Sequence, residues 1–300
     1  MESVNFDRAA DYYDATRGLP AEAMVAMTDL LARELGAHQP CLEIGVGTGR
    51  IALPLSARGI RLAGADISGG MLRQLLSNAA CWAQGALALP VLQADATLLP
   101  FAARSFGSVL AVHVLHLIPD WRIAVDEALR VLRPGGALVA SFPTDNRGVA
   151  QPGTAGRGDG QHIAAAGSQA AGNEADPAAI GLTRDRKSPW ADAVREAARR
   201  HGMVRVQVGA RDPRAVTAYL GGRATARELN PVPVRSVTTL GEAVDYIERQ
   251  LFSWTWPYTA EQAAAVAAEV RDWAAAANVP LETSHESESA VRWWAFELSS

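Results

Sequence analysis

From residue 41 to residue 142 short apolar runs alternate with helical segments, and this alternation restricts the fold more than any other feature of the 300-residue chain. LEIGV, RLAGAD, VLQAD, SVLAVHVL and ALVASF are nearly continuous in Leu, Ile, Val and Ala. Strands apolar at almost every position belong to a parallel sheet buried on both faces. Helical spacing fills the gaps: from about Arg50, over 70–83, and over 120–132 ahead of the turn Arg133-Pro134-Gly135-Gly136. In front of these, Met24, Met27, Leu31 and Leu35 recur at helical spacing between Pro20 and Gly36, which predicts an amphipathic helix covering a core. The expected fold is α/β, with a doubly wound, mostly parallel sheet.

The chain divides into four parts by composition. Residues 1–36 form a helical N-terminal segment and 37–146 the α/β core. Residues 147–187 are rich in Gly, Ala, Gln and Pro and contain no aromatic residue, which predicts a flexible loop. That loop leaves the carboxyl end of a strand, so it is read either as a linker or as a lid over a ligand. In 188–300, SPWADAVREAARRHG reads as a helix, MVRVQVG and AVRWWAFEL as strands, and two helical segments between them as an all-α insertion. SWTWPY, joining those helices, either lines an apolar pocket or forms the core of a helical cap.

The net charge of −4 gives no global attraction to nucleic acid or to an anionic membrane surface. No apolar run approaches the ~20 residues needed to span a bilayer, and the acidic start MESVNFDRAADYYD has no leader character. A cytoplasmic protein acting on a small molecule is expected. Cys41 and Cys81 are far apart and outside any ligand cluster, so both are assigned to packing and no metal site is expected.

CLEIGVGTGR carries the chemistry. A dinucleotide fingerprint would read GxGxxG, but Arg50 stands where its third glycine belongs and the spacing is Gly45, Gly47, Gly49. Glu43, two positions ahead of the turn, would repel a pyrophosphate and attract a cation. Asp66 ends the second strand about 20 residues after the turn, where a carboxylate accepts hydrogen bonds from ribose hydroxyls. Its alternative role is to cap the next helix. Asp95 ends the third strand and can accept from an exocyclic amine such as that of adenine. The ligand expected is a positively charged nucleoside without phosphate.

EIGVGTG, ADISGGML, QADATLLPF, VLHLIPDW and LRVLRPGGALVASF, in this order, resemble the motifs of class I S-adenosylmethionine-dependent methyltransferases of the ubiquinone/menaquinone C-methyltransferase type. The resemblance implies a Rossmann-like seven-stranded sheet, S-adenosyl-L-methionine as cofactor and methyl transfer to a small organic molecule. It implies that Gly45, Gly47 and Gly49 approach the methionine moiety with Glu43 at the acidic position, that Asp66 holds the ribose, that Met71 contacts adenine, and that Asp95 and Ala96 meet its amine. YYDATRGLP resembles the N-terminal segment of many members, which places Tyr13 and Arg17 over the cofactor, Arg17 pairing with its carboxylate. A surface ion pair with Asp11 or Asp14 is the other reading of Arg17.

Transfer from a sulfonium needs positioning and a dry pocket, and a general base where the acceptor is a hydroxyl or an acidic carbon. His113 and His116, after the fourth strand, are the candidates, His113 first and also as a cofactor contact; a packed core histidine is the alternative for either. The family's NPPY-type segment is absent after that strand, which argues against N-methylation of a nucleobase or of glutamine. Two other functions stay open: a cofactor-binding module without transferase activity, and a nicotinamide-dependent oxidoreductase, which Glu43 and Arg50 oppose.

Overall fold

The computed structural model describes residues 3–82, 89–143, 188–204 and 208–299. Strands β1 (Cys41–Ile44), β2 (Leu62–Asp66), β3 (Val91–Gln93), β4 (Phe106–Val112) and β5 (Leu132–Ser141) run parallel in the order β3-β2-β1-β4-β5. Strand β9 (Trp293–Leu298) lies antiparallel to β5, and β6 (Ala224–Glu228) pairs with its outer side to complete the seven-stranded sheet. Helices α2 (Ala21–Gly36), α3 (Ala52–Ala57) and α4 (Gly69–Cys81) cover one face, where Met27, Leu31, Leu55 and Leu75 meet Leu110 and Val139. Helices α5 (Trp121–Val131) and α7 (Pro213–Leu220) cover the other, setting Val125, Val131 and Val216 on Leu42, Val109, Leu138 and Phe296. Burial on both faces is why the central strands are apolar at successive positions.

Order reverses at β1, whose neighbours are β2 and β4, and the chain leaves these carboxyl ends through the glycine turn and the segment after β4. Open α/β sheets bind ligands at such a switch point. Cys41 lies in the core, and burial pushes its thiol up to about 12. Cys81, expected in packing, is instead exposed at the end of α4.

The C-terminal part departs from its sequence reading. Of the run 203–209, read as a strand, Met203, Val204, Val208 and Gly209 lie in none and residues 205–207 fall outside the described residues; among the described residues the edge position belongs to Ala224–Glu228. The insertion between β6 and β9 is not all-α, because it rises on an antiparallel ribbon of β7 (Val232–Thr239) and β8 (Ser284–Val291). Helix α6 (Ala191–Arg200), where the sequence places a helix, packs in a separate core with α8 (Leu240–Glu248) and α9 (Ala260–Ala276), built from Trp190, Val194, Ile247, Trp254, Val266 and Val270. Capping boxes at Thr239 with Glu242 and at Thr259 with Gln262 start α8 and α9 where the ribbon and the preceding loop deliver them. The Gly/Ala-rich loop read over 147–187 lies outside the described residues. No helix among the described residues is long and apolar enough to cross a membrane.

Because Trp190 is 1% exposed at the centre of the cap, Trp190→Ala should lower the unfolding free energy by about 3–5 kcal/mol. Urea denaturation measures this, and a loss below about 1 kcal/mol would show that α6 contributes little to that core.

Candidate functional site

Gly45, Gly47 and Gly49 adopt φ values of 66°, 56° and 80°, the left-handed region in which a side chain is costly. The turn they make clings to β2, the amides of Gly45 and Val46 donating to the Ala65 carbonyl at 2.8 and 3.1 Å. A Cβ on Gly45 would sit 2.5 Å from Val114 Cγ2, so the backbone can pass the segment after β4 only without one. Asp66 braces the turn from the end of β2: its Oδ2 accepts from the Gly47 amide and its Oδ1 from the Ser68 amide, each at 2.8 Å. The helix-capping role belongs instead to Ser68, whose hydroxyl oxygen accepts from the Met71 amide at 3.0 Å. Burial raises the Asp66 carboxyl pKa, against the lowering effect of the Ser68 and Gly47 amides.

These elements border a cleft of about 680 Å³, counting the space open to solvent at its mouth. Its wall brings together Tyr13, Gly45, Gly47, Asp66, Met71, Asp95, Ala96 and His113. Asp95 accepts from the Thr97 amide and hydroxyl at 2.8 Å, both through Oδ1. His113 has φ 47°, uncommon outside glycine, and its amide donates to Ser141 Oγ at 3.0 Å.

Arg17, Glu43, Gly49 and His116 are not on that wall. The guanidinium of Arg17, at the end of α1 (Tyr13–Arg17), lies 3.9 Å from the centroid of the Phe252 ring and donates to the Leu251 carbonyl at 3.3 Å. The Arg17 carbonyl in turn accepts from the Arg50 guanidinium. Gly49 faces Leu53 and Leu75. His116 sits in the short 3-10 turn Leu115–Leu117, its carbonyl taking the Gly209 amide at 3.1 Å. Glu43 is 2% exposed beneath the turn with Oε2 unpartnered, and burial holds its carboxyl pKa well above the usual range despite the nearby Arg50. Of the tryptophans in SWTWPY, Trp254 belongs to the cap core and Trp256 packs on Phe6, ring centroids 4.9 Å apart.

The N-terminal residues Ser3, Val4 and Phe6 complete the wall, and sequence reasoning missed them. Their segment is tied down on three sides. The Val4 amide donates to the Leu117 carbonyl at 3.2 Å. Asp7 accepts from the Ser68 hydroxyl at 2.6 Å and the Gly70 amide at 2.7 Å, and these donors lower its pKa. Asp14 accepts from the Thr48 hydroxyl at 2.5 Å and the Asn78 side-chain amide at 2.9 Å. Phe6 is a lone aromatic in an acidic stretch without periodicity, so only its tertiary contacts give it a role.

Comparison with known proteins bears on the same turn. A methyltransferase domain matches residues 42–140, spanning β1 to β5. That segment matches the methyltransferase domain family, and over it the chain resembles the class I S-adenosylmethionine-dependent type. S-adenosylmethionine is the cofactor that goes with it. The chain is 34% identical over 142 residues to a demethylmenaquinone methyltransferase of Clavibacter sepedonicus, covering 46% of this chain and 56% of that one. A second demethylmenaquinone methyltransferase, from Thermus thermophilus, is 36% identical over 111 residues, covering 36% and 49% respectively. An uncharacterised protein of Mycobacterium tuberculosis is 32% identical over 119 residues, covering 39% and 42%. The chain thus spans about half the length of these curated relatives. The YcgJ protein from Bacillus subtilis shares the fold, with a TM-score of 0.51 at 16% identity over 92% of this chain and 99% of that one.

The cleft suits such a cofactor on its own geometry. Its floor is backbone that leaves no room for a Cβ at Gly45, and two wall carboxylates stand at or just beyond the ends of adjacent strands. Met71, Ile67 and Ala96 give the wall an apolar stretch.

Glu43 offers a test of the electrostatics beneath the turn. An acid whose pKa is raised by folding holds its proton more tightly in the folded state, so stability falls as pH rises past the usual glutamate range. Glu43→Gln should remove that fall, with a gain in thermal midpoint over wild type that is larger at pH 8 than at pH 5. Equal shifts at both pH values would contradict a buried acid with raised pKa.

Proposed function

We propose that the protein transfers a methyl group from S-adenosylmethionine to a small organic molecule. The observation that carries this reading is the glycine turn braced by Asp66, opening on a cleft whose wall also holds Asp95 and His113. When bound, the cofactor supplies a methyl group on a positively charged sulfur, an already activated leaving group.

The chain's part is to bind, orient and exclude water. Asp66 has one amide on each oxygen, and each oxygen retains a lone pair with which to receive a ribose hydroxyl. Asp95 Oδ2 is the oxygen offered to the adenine amine, since Oδ1 is taken by Thr97. Tyr13 and Phe6 close the cleft against solvent. His113 receives the proton of an acceptor hydroxyl or acidic carbon as the new bond to carbon forms. Its left-handed backbone directs a titratable side chain to the cleft at a conformational cost that packing alone does not call for.

Arg17 and Glu43 act at a distance in this reading. Arg17 holds the roof, and Glu43 lies with Arg50 under the turn. A demethylmenaquinone-type acceptor is the first to assay, given the names of the two demethylmenaquinone methyltransferase relatives.

Asp66→Ala should weaken S-adenosylmethionine binding by more than about 1.5 kcal/mol in calorimetric titration, because ribose hydroxyls lose a charged acceptor. An unchanged dissociation constant in a folded variant would assign Asp66 to bracing alone. For catalysis the informative change is His113→Asn, since asparagine tolerates the left-handed backbone. Scored by transfer of labelled methyl to a panel of hydroxyl, thiol, amine and carbon-acid acceptors, it should lower turnover by about 10²-fold or more while cofactor affinity holds. Full turnover in this variant would remove His113 as the base.

A further inference from the structure

We propose that Gln250 is a positioning residue that couples the C-terminal cap to the N-terminal roof of the cleft, so that the cap governs how long the cofactor stays bound. The proposal rests on the reading of the cleft as a cofactor site.

Gln250 follows α8, is 6% exposed and adopts φ 51°. A buried polar side chain in a left-handed backbone is costly unless its groups are satisfied. Here they are, and the partners define a junction. Its side-chain amide donates to the Thr255 and Tyr258 carbonyls at 3.0 and 2.8 Å, which curls residues 250–258 into a compact loop. Its main-chain carbonyl accepts from Trp256 Nε1 at 2.9 Å and fixes that indole. Its Oε1 accepts from Arg8 Nη2 at 2.8 Å, reaching out of the cap into the roof.

The roof meets the same loop at two more places. The Trp256 ring backs Phe6 at 4.9 Å, and Phe6 in turn meets Tyr13 edge-on at 5.8 Å, both of the latter being wall residues. Arg17 stacks on Phe252 and donates to the Leu251 carbonyl. Arg8, Phe6 and Arg17 therefore all engage residues 250–256, while Asp7 and Asp14 tie the intervening chain to α4 and the glycine turn. Phe6 stands between the Val4 and Asp7 anchors, and its ring is backed by an indole that Gln250 fixes. Releasing Arg8 or Trp256 frees the roof to lift, and a bound cofactor then escapes faster without any change in its own contacts.

The test uses the full chain and two readouts. Amide exchange over residues 4–12 of the ligand-free protein reports the roof directly, and stopped-flow dissociation of S-adenosylhomocysteine reports its effect on the cleft. Arg8→Ala should speed exchange over that segment and raise the dissociation rate roughly tenfold, with association nearly unchanged, and Arg8→Lys should restore part of the loss. Trp256→Phe, which keeps a ring against Phe6 but loses the bond to Gln250, should act in the same direction. A purely structural role would move the thermal midpoint and leave the dissociation rate alone. Unchanged dissociation in both variants, with or without faster exchange, would overturn the coupling. Should wild type fail to bind S-adenosylhomocysteine, the cofactor reading fails, while unchanged exchange over 4–12 in both variants would overturn the Gln250 junction itself.

Discussion

The bond from the Gly47 amide to the Asp66 carboxylate joins the ends of two neighbouring strands, and the geometry of the cleft depends on it. Three glycines in the left-handed region have no side chains to hold their shape, so the turn after β1 must be braced from outside. Asp66 does this from β2, the Ala65 carbonyl beside it holds two more amides, and Val114 closes the remaining side. One carboxylate thus shapes the floor and also lines the cleft, where the proposed ribose would meet it. Burial raises its pKa, acting against the charge that the amides favour.

Ser3, Val4, Phe6 and Tyr13 border the cleft from the N-terminal segment, and the cap packs behind Phe6 through Trp256. Residues 3–17 lie across the cleft and are tied to α4 and the glycine turn by Asp7 and Asp14. The cap reaches them on its ribbon from between β6 and β9. Asp7 also sets the direction of a pH effect. Its pKa is lowered by the Ser68 and Gly70 donors, so the tie is complete above the usual carboxylate range and weakens as pH falls through the lowered value.

The parallel core was legible because burial on both faces writes itself into composition: LEIGV and SVLAVHVL are apolar at most successive positions and lack the alternation of a half-exposed strand. The turn and Asp66 were legible because backbone conformation and charge at a strand end restrict residue type directly. The edge strand was not, since Ala224–Glu228 is largely exposed and held by main-chain bonds to β9, which leave no apolar pattern. The ribbon strand Ser284–Val291 is polar for the same reason. Helix α6 displays its apolar face in sequence, but periodicity says nothing of which core that face joins. Arg17 illustrates the same limit at the site: its motif marks it as an anion partner, whereas Phe252, remote in sequence, takes its guanidinium.

The central claim is that this cleft accepts an adenosyl ligand without a pyrophosphate and not a dinucleotide. Calorimetric titration of the full chain with S-adenosylhomocysteine, and in parallel with NADH, tests it most directly. One binding site for S-adenosylhomocysteine with no saturable heat from NADH is the predicted result. Saturable binding of NADH, with none of S-adenosylhomocysteine at high micromolar concentration, would contradict it.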